Sequence, residues 1–573
     1  MAEVCSEVVQ GFDSEGNYHD VIYADLLNNN PPERIAINPL CRILIDTPEF
    51  QRLKDIKQLD QLNLMFEKAK HTRYEHCIGT SILCGWFFDE LVTHSKRVIN
   101  MNDEEIEKYR MCVVVAGLLH DIGHCVLGHS YPQYVKMFRN SKITEHETMG
   151  IEIFRRLLQH EEIKIAFHGQ GLDATYQDCI CMMIAGKEKY LTDDLKEKWN
   201  GIPPNKKWLF QIVSNERTGI DMDRIDYLLR DSHYTELSTS VNYKRIIENA
   251  YVHQDADNSF ICFDREVVYD LMSVYQSRMM FYLHACNHRN NQITEIMLLE
   301  ALKIAEDNGF HITTEKTDET VTNDYEILKK ALGILKELGG DKDWKNVEAF
   351  ADDPKMKKQL QKNVFFLSKA WEDVDVYLTA TDRIIEDLMN TTEMTLATAR
   401  NLITRIRNKD FYTCVGEINL NGFYIRKTIE GKKERTCTVI EIAADGTKEE
   451  TKKKYLRYDK EAVQEKVKNK IMKVIEGKKL RIDDLIIDCC IVSHGQGDCN
   501  PFESIYFYDG ENKVRRFEGY MMSNVFSSVY EDVYVRFYSR TKENDEKWRK
   551  VVDSWRRTEH PYKLKYTDME DEE

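Results

Sequence analysis

The chain has 573 residues and is 42% hydrophobic, enough for a large buried core and more than one domain or subdomain. Lysine and arginine number 80 against 97 aspartates and glutamates, a net charge of −17, which excludes broad polyanion binding by bulk field and makes nucleic acid an unlikely primary partner. Fifteen cysteines without a CxxC pair, an acidic start and a most apolar stretch, VVVAGLL (113–119), far too short to span a bilayer, argue against a disulfide scaffold, a secretory signal and a membrane span, so an intracellular protein of nucleus or cytosol is expected.

In chain order, residues 1–35 are polar, include NNNPP (28–32), and read as a flexible leader. From 36 to 300 the apolar spacing is helical. CIGTSILCGWFFDELV (77–92), YRMCVVVAGLLHDIGH (109–124), RIDYLLRDSHY (224–234) and NQITEIMLLEALKIAED (291–307) carry it. A helical extension, including DYEILKKALGILKEL (324–338), is predicted over 301–407. Strand and turn signals then appear. RTCTVIEIAADGTKEET (435–451) reads as a hairpin around Asp445-Gly446, LIIDCCIV (485–492) and ESIYFYDG (503–510) as strands, and WRKVVDSWRR (548–557) as a last helix. Residues 408–560 thus form a smaller α+β region, and 561–573 an acidic tail.

GLLHDIGHCVLGHS (117–130) gathers three histidines and an aspartate at the end of an apolar helix. A His-Asp pair alone carries little weight, and His19-Asp20 in the leader is such a pair without context. His124 follows His120 by four residues, which predicts a shared helical face. Imidazole and carboxylate together suit a divalent metal with open positions, and two ligands are too few. HTRYEH (71–76) opens a helix and supplies His76 with Arg73 beside it. In GIDMDRIDYLLRDSHY (219–234), Asp223, Tyr227 and Asp231 fall at i, i+4 and i+8 with Arg224 alongside. Taken alone that face reads equally as a structural ion-pair network.

The ordered set H…HD…D resembles the HD phosphohydrolases. IDTPEFQRLKDIKQL (45–59), HTRYEH, AGLLHDIGH, TEHE (144–147), IVSNERTGIDMDRIDYLLRD (212–231) and CVGE (414–417) resemble more narrowly the deoxynucleoside triphosphate triphosphohydrolases of the SAM-and-HD type. The resemblance implies a mainly α fold, with an HD catalytic core over 36–300 and a regulatory, oligomerising role for 408–560. No SAM-type helical module fits before residue 36.

It further implies release of deoxynucleoside and inorganic triphosphate from dNTPs. The metal ligands would be His76, His120, Asp121 and Asp223, holding Zn, Fe or Mn, with Mg on the substrate phosphates. His146 and His129 match catalytic histidines, and His129 would also meet substrate. Arg73, His124, Arg224 and Arg278 would hold the triphosphate. Gln58, Leu59, Tyr227, Asp231 and Asn287 would line the sugar. Asp46, Gln51 and Lys54 match a guanine-reading segment, and Arg245, Arg265, Arg289 and Lys409 match sites for allosteric phosphates. GTP or dGTP is the expected activator, with assembly from dimer to tetramer.

Three departures stand out. Pro132 replaces an aspartate that usually follows the general-acid histidine by three residues. Arg224 replaces a lysine. Cys286 and Asn287 replace an aromatic residue and a glutamine, so Leu59 is expected to carry more of the discrimination against a 2′-hydroxyl. Two other readings are open: an HD phosphodiesterase with a second metal, and a non-enzymatic nucleotide sensor.

Overall fold

The computed structural model describes residues 8–12, 18–24, 33–138, 145–256, 258–315, 362–419, 432–442, 448–458, 460–497, 500–508, 514–516 and 530–559. The fold is mainly α with small sheets. It begins with β1 (Val8–Phe12), β2 (Tyr18–Ala24) and β3 (Glu33–Ala36), then α1 (Pro39–Ile45), α2 (Pro48–Gln51), α3 (Arg73–Ser95) and α4 (Asp103–Leu119). Next come α5 (Tyr131–Lys136), α6 (His146–Leu157), α7 (Glu161–Gly169), α8 (Ala174–Ala185), α9 (Asp193–Asn200), α10 (Met222–Thr235) and α11 (Tyr243–Glu248). The hairpin β4 (Ala250–Gln254) and β5 (Ser259–Asp264) leads to α12 (Val268–Phe281) and α13 (Arg289–Asp307). Strands β6 (Ile312–Glu315) and β7 (Lys362–Phe365) precede α14 (Val374–Thr379), α15 (Arg383–Asn390) and α16 (Ala397–Arg407). The chain continues through β8 (Thr413–Asn419), β9 (Lys432–Ile442), β10 (Lys448–Tyr458), α17 (Lys460–Ile475), β11 (Leu485–Ser493), β12 (Tyr506–Tyr508), β13 (Val514–Arg516), β14 (Glu531–Ser539) and α18 (Asp545–Glu559). Among the described residues no helix is long and apolar enough to cross a membrane.

Two compact units are interleaved along the chain, with a border at 407/408 where the C-terminal region was expected to begin. One comprises residues 1–85, 101–202 and 296–407, the other 86–100, 203–295 and 408–573. Two of the borders, at 85/86 and 295/296, fall inside the long helices α3 and α13, whose continuous periodicity conceals them.

In the first unit, α4 packs on α8 and α8 on α6, burying Val113, Val115, Leu119, Ile151, Phe154 and Met183. Helix α4 starts from a capping box, in which Asn102 accepts from the Glu105 amide at 2.9 Å and Glu105 reaches back to the Asn102 amide. The expected leader is in part ordered into strands. Strands β1, β2 and β3 pair antiparallel, with Val8 opposite Ile22 and Val21 opposite Ala36. Val21-Ile22-Tyr23 supplies β-branched and aromatic residues that a polar average hides.

Besides the β9–β10 pair, the second unit has two sheets among the described residues. In one, β14 lies between β11 and β8, and helices α17 and α18 cover it. Val463, Val467, Ile471, Phe537, Trp548 and Trp555 form that core. The other orders β13, β12, β5 and β4. The hairpin expected near 435–451 is present as β9 and β10, with Ile442 opposite Lys448. Its turn at Asp445-Gly446, the helix expected at 324–338 and the acidic tail lie outside the described residues.

Candidate metal centre

The first turn of α3 is tied by Thr72, whose amide donates to Glu75 Oε2 at 2.9 Å and whose hydroxyl also meets that carboxylate. This closure sets Arg73 and His76 at the start of the helix, pointing into the buried interior. Helix α4 ends at Leu119, and His120 is its C-cap. The chain then turns, with the Ile122 amide on Leu119 O and the His124 amide on Asp121 O. His120 and His124 therefore do not share a helical face, contrary to the spacing argument. The turn itself brings them around Asp121.

His76, His120 and Asp121 each offer a ligand atom within 4.8 Å of the others, and all three are buried. His76 Nε2 faces His120 Nε2 at 3.1 Å. His120 Nδ1 lies 2.8 Å from the Gly117 carbonyl oxygen, which can only accept, so the proton sits on Nδ1 and Nε2 carries the lone pair. His76 Nδ1 is 3.5 Å from Thr80 Oγ1. Imidazole lone pairs and a carboxylate aimed at one point fit a divalent cation. A second group, Asp121, His124 and His146, shares the same carboxylate.

Arg73 holds Asp121 in place. Its Nη1 donates to Asp121 Oδ2 at 2.5 Å, and its Nη2 lies 3.4 Å from His129 Nδ1. Burial opposes ionisation of Asp121, but Arg73, His120 and His124 outweigh it and hold the carboxyl well below its usual range. The His124 and His146 rings stack at 3.9 Å, and His129 lies 4.9 Å from His124. Burial, then Arg73 and His146, holds the His124 imidazole well below its usual value. Burial, then His129, brings His146 down to about 3. Both rings are thus neutral near pH 7, the form that ligates metal or accepts a proton. His129 is exposed.

The glycine of HDIGH has a packing role that spacing did not disclose. A Cβ on Gly123 would stand 1.9 Å from His146 O and 2.5 Å from Gly150 N, so only glycine lets the start of α6 lie against the turn. From behind, Arg52 Nη2 donates to Ile122 O at 2.5 Å and the Tyr377 hydroxyl to Gly123 O at 2.7 Å. Glu147, the last residue of TEHE, places Oε2 3.3 Å from His146 Nδ1.

The remaining candidates of the first unit make local contacts of their own. The Gln58 amide donates to His71 O at 3.0 Å, and Leu59 caps the short helical turn at 60–64. Asp46 is exposed and paired with Arg42 at 2.7 Å, Gln51 donates to Ile45 O at 2.7 Å, and Lys54 Nζ lies 4.6 Å over the Tyr74 ring.

The other candidates belong to the second unit. Asp223, Arg224, Tyr227 and Asp231 lie on α10. Arg224 Nε and Nη1 are buried without a hydrogen-bond partner. A Cβ on Gly219 or Gly495 would lie 2.6 or 2.7 Å from Arg224 Nη1, and both glycines have positive φ. Arg278 donates to Ser493 O at 2.5 Å and stacks on Tyr282 at 4.1 Å. Cys286 closes a π-helical turn, and the Asn287 amide bonds back to Tyr282 O at 2.7 Å. Arg245 pairs with Asp270 at 3.2 Å, Arg265 opens a short helical turn, Arg289 begins α13 and Lys409 has a left-handed backbone.

Residues 73–185 match the HD domain family. The chain is 25% identical over 519 residues to the Homo sapiens protein named deoxynucleoside triphosphate triphosphohydrolase SAMHD1, covering 90% of this chain and 70% of that one. The Gallus gallus protein of the same name is 24% identical over 530 residues, covering 91% and 73%. A Dictyostelium discoideum protein named as a homolog of it is 24% identical over 455 residues, covering 79% and 72%. The HD match spans His76, His120, Asp121, His124, His129 and His146. It thus coincides with the buried donor cluster and supports binding of a divalent metal there.

Proposed function

We propose that the chain hydrolyses deoxynucleoside triphosphates to deoxynucleoside and inorganic triphosphate in a metal-dependent reaction. One observation carries this reading: the His76, His120 and Asp121 donor group sits beside two neutral stacked imidazoles and a buried arginine, inside the HD match of a chain similar throughout to triphosphohydrolases. The sequence resemblance adds Asp223 as fourth ligand, and the metal would be Zn, Fe or Mn. A divalent cation so held lowers the pKa of a bound water and polarises a phosphoryl oxygen.

This chain's own residues supply the rest. Arg73 orients the Asp121 carboxylate, while His124 Nε2 lies 3.4 Å from it, closer than His120 at 3.6 Å or His76 at 3.8 Å. In the reaction, water oxygen adds to the α-phosphorus, the bond to the 5′ oxygen breaks, and that oxygen takes a proton. His129 is the candidate to deliver it, and His146 is assigned as a second catalytic histidine. Arg224 and Arg278 are assigned to the triphosphate, where forked donors match phosphoryl oxygens. Gln58, Leu59, Tyr227, Asp231 and Asn287 are assigned to the sugar.

The proposal extends to activation by GTP or dGTP, to oligomers up to a tetramer, and to control of dNTP pools. Asp46 is the guanine reader, since a carboxylate accepts from the ring and amino N–H groups of guanine. Arg42 would have to release it first. Incubating metal-loaded protein with a dNTP mixture, with and without GTP, and identifying the products tests all of this. Inorganic triphosphate with deoxynucleoside is expected, and full activity without guanine nucleotide would remove the activation step. A second reading, an HD phosphodiesterase, is favoured by the second donor group on Asp121, and its product would be a nucleoside monophosphate.

A further inference from the structure

Position 132, where the resemblance led us to expect an aspartate supporting His129, is Pro132 in the first turn of α5. A carboxylate stands instead beside the other histidine. Glu147 Oε2 lies 3.3 Å from His146 Nδ1. That oxygen is buried and has no well-formed hydrogen bond. An acid in the first turn of a helix commonly faces solvent and answers the N-terminal amides. Glu147 does not fit that role alone, because its side chain is only 19% exposed and leans on the imidazole. Gly123 fixes the register of the pair by letting the His146 carbonyl close on the HDIGH turn.

We propose that Glu147 is the positioning carboxylate of the site, accepting the Nδ1 proton of His146 and presenting its Nε2 toward the reacting groups. The kinetic part of the inference rests on the triphosphohydrolase reading. A 3.3 Å contact is long for such a bond, and catalytic hydrogen bonds commonly tighten only when substrate is in place. The carboxylate has two effects. It selects one tautomer and one ring orientation, as a buried aspartate does for a catalytic imidazole. It also stabilises imidazolium when His146 takes up a proton.

The test uses the full metal-loaded chain and has two arms. In the kinetic arm, Glu147→Gln is expected to lower kcat by about 10- to 100-fold, as loss of a supporting carboxylate does elsewhere, with KM within about twofold. Glu147→Asp restores part of the rate, and Glu147→Gln added to His146→Ala costs nothing further. A kcat within about twofold of wild type, or an equal loss in the His146→Ala background, would overturn the proposal. The second arm needs no turnover. Diethyl pyrocarbonate labelling of His146, followed by peptide mass, is expected to slow in Glu147→Gln, because the lost acceptor makes Nε2 less nucleophilic. Equal labelling rates would overturn the pairing. Slowed labelling in a chain that releases no triphosphate would sink the functional reading and sustain the pairing.

Discussion

Arg73 Nη1 and Asp121 Oδ2 meet at 2.5 Å in the buried interior, joining the first turn of α3 to the turn that follows α4. The carboxylate aimed at the metal is therefore fixed by a residue 48 positions earlier. Arg73→Met should leave Asp121 an uncompensated buried charge, at a cost of about 3–5 kcal/mol. Urea unfolding of the metal-free chain measures it. Arg73→Lys keeps the charge and loses the fork, so it should recover only part of the stability. A loss below about 1 kcal/mol, the scale of an exposed pair, would mean the contact is solvated in solution.

His120→Ala with Asp121→Ala removes two of the three clustered donors. Bound divalent metal, measured by elemental analysis after dialysis, should fall to background, and hydrolysis should fall with it. Retained stoichiometric metal would place the ion elsewhere. The single variant Thr80→Val should be far milder, since Thr80 only abuts His76 Nδ1 at 3.5 Å.

Glu147 and His146 should give the metal-free chain opposite pH dependences. Glu147 is raised from 4.5 to about 7 by burial, so its protonated form favours the fold. That contribution is complete below pH 4.5 and is lost as pH rises through about 7. His146 is lowered from 6.5 to about 3, so its contribution is complete above pH 6.5 and is lost as pH falls through about 3. Melting temperatures across that range should show Glu147→Gln gaining on wild type as pH rises. His146→Gln should gain as pH falls. Parallel profiles for wild type and both variants would contradict the assignment.

Gly123→Ala forces a methyl group onto backbone atoms, His146 O at 1.9 Å and Gly150 N at 2.5 Å. The start of α6 must move, with a cost of order 1–3 kcal/mol and displacement of His146 from His124. Gly150→Ala is the control, because its Cβ crowds only the Ile184 side chain, at 3.1 Å, and meets Gly123 N and Ile122 at ordinary contact distances of 3.7 and 3.8 Å. Comparable thermal shifts and rates for the two variants would show that the close approach does not matter.

Leu59→Ala tests sugar selection. Cys286 cannot stack as an aromatic ring would, so under the proposed reaction Leu59 is expected to carry more of the discrimination. The preference for dGTP over GTP, taken as a ratio of kcat/KM values, should fall by about tenfold. An unchanged ratio would remove Leu59 from that role.

Much of this was legible in the sequence because it is local. Helical spacing marked α3, α4, α10 and α13, and Thr72 with Glu75 marks the start of α3 as readily on paper as in space. The histidines and aspartate of 117–130 carry their chemistry in their side chains, so a metal-capable site could be read before any fold. The misreadings were also local. The four-residue interval between His120 and His124 implied a helical face, but the helix stops at Leu119. The polar average of 1–35 hid strands.

Only tertiary packing decided which partners meet. His76 faces His120 across 44 positions, Arg73 grips Asp121, and α6 lands on Gly123 so that His146 stacks on His124. Glu147 is next to His146 in sequence, yet its burial, and hence its raised pKa and its value as a partner, comes from the helices packed around it. Periodicity ranks the faces of one segment. Distances between segments are set by the joint filling of a core, where a single glycine can determine whether two backbones touch.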